Sequence, residues 1–476
     1  MDTKKLRQKV LDLAIHGKLV KQDPNDEPAS ILLDRIRAEK ARLVKEGKIK
    51  KSDLIEKPIS EDEIPFDVPN GWEWCRLAAI INMLSGQDFE PSKYNDKGLG
   101  IPYITGASNI QDAQILVNRW TETPTVIAKQ NDLLIVCKGS GVGKMAICNI
   151  EQGHIARQIQ ALRNSYKLAN LQYIKYVIEV NLGPIISYAN GIIPGLPRDI
   201  LLDLILPLPP LAEQRRIVKA VDELFEQIDI IERSEKELEE AANKTRDKLL
   251  NLAIQGHLVP QDPNEEPASV LLERIRAEKA RLVKEGKLKK KDLEEKPISP
   301  DEIPFDIPEG WVWCRLGDIG DWGAGATPFK GNPNYYNGDV LWLRTGELNN
   351  DVVYDTEIKI TETALKECSL RLNKIGDVLI AMYGATIGKV AIVGAEMTTN
   401  QACCACSPIC IFNWYLFYFL MASKSEFIKK GEGGAQPNIS RDKLINHLFP
   451  LPPLSEQRRI VSKLEELLHE IDKLKG

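Results

Sequence analysis

The chain has 476 residues, 43% hydrophobic and 28% charged, with a formal net charge of −5. That length exceeds one ordinary core. No apolar run reaches the roughly 20 residues a membrane helix needs, and the start, MDTKKLRQKVLDLAIHGKLV, lacks the apolar stretch of a secretory signal. Nine cysteines, an odd number outside any disulfide-like framework, point to a reducing cytoplasm, and the acidic balance gives no global support to a chain that grips nucleic acid alone.

The chain says nearly everything twice. Leu13–Leu77 recurs as Leu252–Leu316, and only 13 of the 65 aligned positions differ. The segment PLPPLxEQRRIV stands at Pro207–Val218 and again at Pro450–Val461. The stretches between, 78–206 and 317–449, diverge at most positions. The expected division is therefore an N-terminal helical region 1–77, a first insert 78–206, a central region 207–316, a second insert 317–449 and a C-terminal helix 450–476.

In chain order, Leu6, Val10 and Leu13 carry a helical seam at the start. A helix is predicted over Pro28–Glu46, with proline in its first turn and Gly47 as its stop, and its copy over Pro267–Glu285 ends at Gly286. Lysines follow each (Lys48, Lys50, Lys51; Lys287, Lys289, Lys290, Lys291), fitting either a solvated helix end or a phosphate or partner contact. Each insert opens on Gly-Trp-x-Trp-Cys-Arg-Leu (Gly71–Leu77, Gly310–Leu316) and then reads as β-rich. Strand-like Leu133–Cys137 and Val378–Met382 lead into the glycine turns KGSGVGKMAI (Lys138–Ile147) and YGATIGKVAI (Tyr383–Ile392). Apolar-aromatic stretches, Leu171–Val180 and Asn413–Met421, read as helices.

From Leu211 the pattern predicts one helix of about 45 residues, or roughly 65 Å. Its seam runs through Ile217, Val221, Leu224, Ile228 and Ile231, then Leu238, Ala242, Thr245, Leu249 and Leu252, up to Gly256. The C-terminus repeats only the first part (Ile460, Leu464, Leu467, Ile471, Leu474) and the N-terminus only the second. Placed end to end, the termini rebuild the central helix. The expected fold is α+β: two β-rich globular domains joined by a pair of long antiparallel coiled-coil helices, in a circular arrangement with a pseudo-two-fold axis. A homodimeric coiled coil is the alternative reading of the same heptads.

No catalytic constellation stands out. The glycine turns lack the leading glycine and the Ser or Thr after lysine that a phosphate-binding loop needs: Lys138 or Tyr383 leads, and Met145 or Val390 follows. They read as tight hairpins or as tips presenting Ser140 and Lys144, or Thr386 and Lys389, to nucleic acid. Asn332–Tyr335 (NPNY) reads as a turn, and Cys403, Cys404, Cys406 and Cys410 lack metal-ligand spacing and read as a buried strand. Polar residues recur at matching places: Thr105-Gly106 with Thr345-Gly346, the latter after Arg344; Arg157-Gln158 with Asn400-Gln401; Pro194–Arg198 with Pro437–Arg441. Arg, Asn and Gln can read base edges bidentately, and they are equally at home as turn and anchoring residues. The first insert has 11 Lys/Arg against 10 Asp/Glu, the second 12 against 14. Either cations gather on one face, or partners supply most phosphate contacts.

On the two PLPPLxEQRRIV segments, the KGSGVGK and YGATIGK turns and NQACCA at Asn400–Ala405, the whole chain resembles the specificity subunit of a type I restriction-modification system. The resemblance implies a non-catalytic DNA-recognition subunit. Its inserts would be target recognition domains, each reading half of a bipartite, asymmetric double-stranded target, while the helices set the gap and dock two modification (methyltransferase) subunits. Those partners would bring S-adenosylmethionine and methylate an adenine flipped from each half-site. Restriction subunits would bring ATP and Mg2+, and this chain would hold no cofactor or metal. The implied DNA-binding set is Thr105, Ser140, Lys144, Arg157, Gln158, Arg198, Arg344, Thr345, Tyr383, Thr386, Lys389, Asn400, Gln401 and Arg441. The tandem arginines Arg215, Arg216, Arg458 and Arg459 would face partner subunits. The rival of another class is a protein-protein adaptor with two ligand-binding inserts on a coiled-coil frame.

Overall fold

The computed structural model describes residues 1–47, 49, 54, 56–139, 141–188, 195–431 and 438–474. The chain is α+β and divides into two units, Met1–Glu235 and Lys236–Gly476. The boundary falls inside a single 44-residue helix, Leu211–Ile254, which links the two β-rich domains.

Each unit builds the same frame. In the first, the strand Glu73–Arg76 pairs antiparallel with Ile205–Leu208, Trp74 opposite Pro207. In the second, Val312–Arg315 pairs with Leu448–Leu451, Trp313 opposite Pro450. The repeated Trp-Cys-Arg and Pro-rich segments are thus the two sides of a clasp that brings the ends of an insert together. The helices Ala29–Lys45 and Ala268–Lys284 occupy the predicted places. Each buries one apolar stripe (Leu32, Leu33 and Ile36; Leu271, Leu272 and Ile275).

Each insert stacks two sheets. The first insert orders Asn82–Ser85, Ile159–Arg163, Leu133–Val136 and Met145–Ile147 in one sheet, all antiparallel. Its other sheet contains a parallel pair, Ile101–Ile104 with Gln152–Ile155. The second insert repeats this scheme, with Val378–Ala381 central in one sheet and Tyr336–Leu343 parallel to Met397–Thr399 in the other. Every residue of Leu133–Val136 and Val378–Ala381 is buried because both faces are covered. Leu133 and Ile135 pack toward the helix Leu171–Tyr188, while Leu134 and Val136 join the core of the other side. Val378 and Ile380 likewise face the helix Asn413–Ala422, with Leu379 and Ala381 opposite. Cysteines 403, 404 and 406 lie in the buried strand Cys403–Pro408 and serve as core.

Within each unit, half of the central helix runs antiparallel to a terminal segment. In the first unit Met1 pairs with Glu235, Arg7 with Asp229 and Asp26 with Arg216. In the second, Arg246 pairs with Asp472 and Glu265 with Arg459. The Arg7–Asp229 and Arg246–Asp472 bridges occupy matching positions of the repeat. Residues 475 and 476 lie outside the described residues, so the expected meeting of the chain ends does too. The seam itself differs from the heptad reading: Leu224 and Leu238 are 39% and 43% exposed and Thr245 is exposed. Phe225 packs in place of Leu224, and Leu250 and Ala253 are buried one residue beyond Leu249 and Leu252. Ile217, Val221 and Ile228 of the expected seam are buried, as is Ala242.

Candidate nucleic-acid interface

The EQRR motif shows how the frame holds each insert. Glu213 accepts from Trp72 Nε1 at 3.0 Å and from Gln22 Nε2 at 3.0 Å. Glu456 accepts from Trp311 Nε1 at 2.9 Å. Burial raises the pKa of both carboxyls, opposed by these donors. The next residue, Gln214, accepts from the Asn170 backbone N–H at 2.8 Å and donates to the Pro209 carbonyl at 2.9 Å. Gln457 does the same with Phe412 and Pro452. The helix that closes each insert is thereby bonded to the motif through the residue just before its first turn. The two arginines then diverge. Arg216 donates to Asp26 at 2.6 Å and Arg459 pairs with Glu265, whereas Arg215 is exposed and Arg458 lies exposed 4.8 Å from the Phe412 ring. Among the four arginines expected to face partners, the second of each pair is thus engaged within the fold.

Around each glycine turn three separate segments converge. In the first insert the Cys137 N–H donates to the Gln158 carbonyl at 2.7 Å, and Leu196 N–H donates to the Cys137 carbonyl at 2.8 Å. Lys138 bridges to Gly195. A Cβ on Gly106 would lie 2.6 Å from Gln158 Oε1, so the Thr105-Gly106 turn abuts the Arg157-Gln158 pair. The second insert repeats the convergence: Met382 N–H donates to Ala402 and Ile439 N–H to Met382, at 2.8 and 2.9 Å, and Tyr383 bridges to Asn438. Asn400 N–H donates to the Leu343 carbonyl at 2.9 Å, bringing Arg344-Thr345 to the same place. The turns need glycine where φ is positive, +91° at Gly139 and Gly143. Gly143 also admits no Cβ because Leu182 of the insert's helix fills that space.

The predicted site residues thus gather into one cluster per insert, with unequal freedom. Lys144, Arg157, Gln158 and Tyr383 are exposed, as is Gln401, which accepts from the Thr327 hydroxyl. Thr345, Thr386, Lys389 and Asn400 are half-buried, and the Thr386 hydroxyl donates to the Tyr383 carbonyl at 3.0 Å. Thr105 donates its hydroxyl to Asn109 Oδ1 at 2.9 Å, closing its own turn. Arg344 is held by Glu347 and Glu357. Arg198 donates to the Met83 carbonyl at 3.0 Å and Arg441 to the Trp322 carbonyl at 2.7 Å. These two arginines therefore anchor the exit loop to the insert's first strand, one of the two roles their sequence position left open. Ser140, Pro194 and Pro437 lie outside the described residues. Sequence reading missed Lys138, an exposed cation at the head of the first turn, and the Trp72–Glu213 and Trp311–Glu456 pairs, whose signal was their exact repetition.

Among the described residues no group of His, Cys, Asp or Glu is placed to hold a metal ion, and no helix is long and apolar enough to cross a membrane. Burial pushes the Cys404 thiol up to about 12, which suits packing rather than nucleophilic chemistry.

Residues 69–240 and 308–475 match the family described as the type I restriction modification DNA specificity domain. The specificity subunit of the type I restriction enzyme EcoAI from Escherichia coli is 32% identical over 99% of this chain and 90% of its own length. That of EcoEI, also from Escherichia coli, is 31% identical over the same shares. A solved chain from a type I R-M system superposes with a TM-score of 0.61, covering 86% of this chain and 93% of that one at 19% identity, a likeness of fold. With two copies of the family's domain mounted on matching frames, the chain belongs to the specificity subunits of type I restriction-modification enzymes, the DNA-recognition component rather than a catalytic one.

Proposed function

We propose that each insert reads one half of a bipartite double-stranded DNA target through the cluster at its glycine turn, and that the two halves differ in sequence. The observation that carries this reading is a constant support bearing unlike contents. Arg198 and Arg441, Gln214 and Gln457, and Glu213 and Glu456 make the same bonds in both units, while the residues they position differ (Lys138 against Tyr383, Arg157 against Asn400). Exposed Gln158 and Gln401, with half-buried Asn400, have the amide chemistry that pairs bidentately with adenine. The finer division follows: 1–77, 207–316 and 450–476 as frame, 78–206 and 317–449 as target recognition domains.

Two modification subunits are the proposed partners on the frame, with Arg215 and Arg458 as contact residues, since Arg216 and Arg459 are spent on internal ion pairs. S-adenosylmethionine, ATP and Mg2+ would be bound by modification and restriction subunits, and the assembly would act in the cytoplasm. Replacing residues 78–206 with the corresponding insert of another specificity subunit should alter one half of the methylated target and leave the other intact, read by methylome sequencing. Lengthening the central helix by seven residues near Ser234–Glu240 should change the gap between the halves. A swap that rewrites both halves, or neither, would refute the half-site reading.

A further inference from the structure

The two clusters are not electrostatically equivalent. Three cations ring the first glycine turn: Lys138, Lys144 and Arg157, all exposed. No ion pair or side-chain hydrogen bond engages any of them among the described residues. The backbone brings them together, because Cys137 bonds to Gln158 and Val136 N–H donates to the Lys144 carbonyl at 2.9 Å. The Asp88 carboxylate accepts from the Arg157 backbone N–H at 2.9 Å and not from its guanidinium. At the matching positions the second insert has Tyr383, Lys389 and Asn400, and Lys389 is half-buried. Its additional cation, Arg344, is compensated by Glu347 and Glu357. Lys424 approaches that turn only from the helix side, its stem against Gly388.

Exposed, unpaired cations give up little by meeting a polyanion, whereas Arg344 would first have to leave two carboxylates. We infer that Lys138, Lys144 and Arg157 are the phosphate-holding residues of the first insert, so that its half-site supplies most of this chain's own salt-sensitive grip on DNA. The second insert binds mainly through uncharged groups. This inference rests on the DNA-reading function above and assigns contacts within it. It also explains how a chain of net charge −5 holds DNA: the cations are concentrated rather than abundant.

The test measures affinity against salt concentration, using the full chain co-expressed with a methyltransferase subunit and a duplex carrying the methylome-mapped target. The variant K138Q/K144Q/R157Q should flatten the slope of log K against log salt by about 2.7, at about 0.9 for each phosphate that is no longer neutralised. It should weaken binding to matched and mismatched sequences alike. The paired variant K389Q/K424Q should flatten the slope by about 1 or less. A charge-keeping variant, K138R/K144R/R157K, should retain the parental slope and thereby separate charge from local structure. An unchanged slope in the triple glutamine variant, or an equal change in K389Q/K424Q, overturns the inference. A parent that shows no preference for the mapped duplex overturns instead the function on which it rests.

Discussion

Arg215 and Arg216 are neighbours in sequence with opposite surroundings, so removing each should give opposite results. The Arg216 guanidinium donates to Asp26 Oδ2 at 2.6 Å, with the carboxylate side chain 10% and the arginine 37% exposed. Arg216→Ala strands that nearly buried carboxylate. Breaking a fully buried pair costs about 3–5 kcal/mol and an exposed one about 0–1, so the partial exposure of the arginine places this loss at about 1–2 kcal/mol. In a unit of 235 residues, 1 kcal/mol moves the melting temperature by about 2–4 °C. Calorimetry of R216A should therefore show the first unit melting about 2–8 °C lower. R215A removes an exposed side chain and should stay within about 0.5 kcal/mol of the parent. In the same preparations R215A should capture less co-expressed methyltransferase subunit. Adding D26N to R216A should cost little more than R216A alone, because the stranded charge is gone. If R215A melts as low as R216A, or R216A melts with the parent, the division of labour within the tandem arginines is wrong.

Two further outcomes concern the second unit. Asn373 is 1% exposed and neither Nδ2 nor Oδ1 has a partner among the described residues, while Ala128 takes the matching place in the first insert. Asn373→Ala should therefore stabilise by about 1 kcal/mol, checked as a rise in melting temperature, and a fall would show that the amide is satisfied. His447 is buried against Phe419 and Phe427, and burial first, then the Lys430 ammonium, lowers its pKa to about 3. The unfolded chain, with a histidine near 6.5, binds the extra proton between those values. Stability from this group is thus present above about pH 6.5 and lost as pH falls toward 3, at up to about 1.4 kcal/mol per pH unit. H447Q should reduce that slope by about one proton in denaturant titrations at pH 4.5 and 6.5, and an unchanged slope would assign the acid sensitivity elsewhere.

Much of the frame was legible because its signals are local or duplicated. Proline at one end and glycine at the other bounded the helices that the structure places at Ala29–Lys45 and Ala268–Lys284. The Trp-Cys-Arg and Pro-Leu-Pro-Pro segments stood out by repetition, and repetition is what a pair of matching clasps leaves in a sequence. Which residues face the partner helix was less legible: a heptad and a straight 3.6-residue helix differ by only about 20° per seven residues, too little to separate Leu224 from Phe225 by spacing alone. The parallel pairing of Ile101–Ile104 with Gln152–Ile155 joins residues about 50 apart and leaves no local mark. The freedom of individual arginines was the least visible. Arg157 and Arg215 stand exposed, Arg198 is held by a carbonyl and Arg344 by two carboxylates: one residue type with three fates, decided by what the fold brings near.

The midpoint of the central helix has a consequence for how such a chain can change. Residues 232–241, ERSEKELEEA, are all exposed; the surface pairs Arg7–Glu232 and Met1–Glu235 reach into them, but the cores of each unit are complete on either side. A deletion or duplication of whole turns there disturbs no packed side chain. The packing therefore tolerates a change of length in this stretch, whereas the same event a few turns away would open a core. Variation in length, unlike variation in the inserts, can enter this lineage in a single step and be judged by function alone.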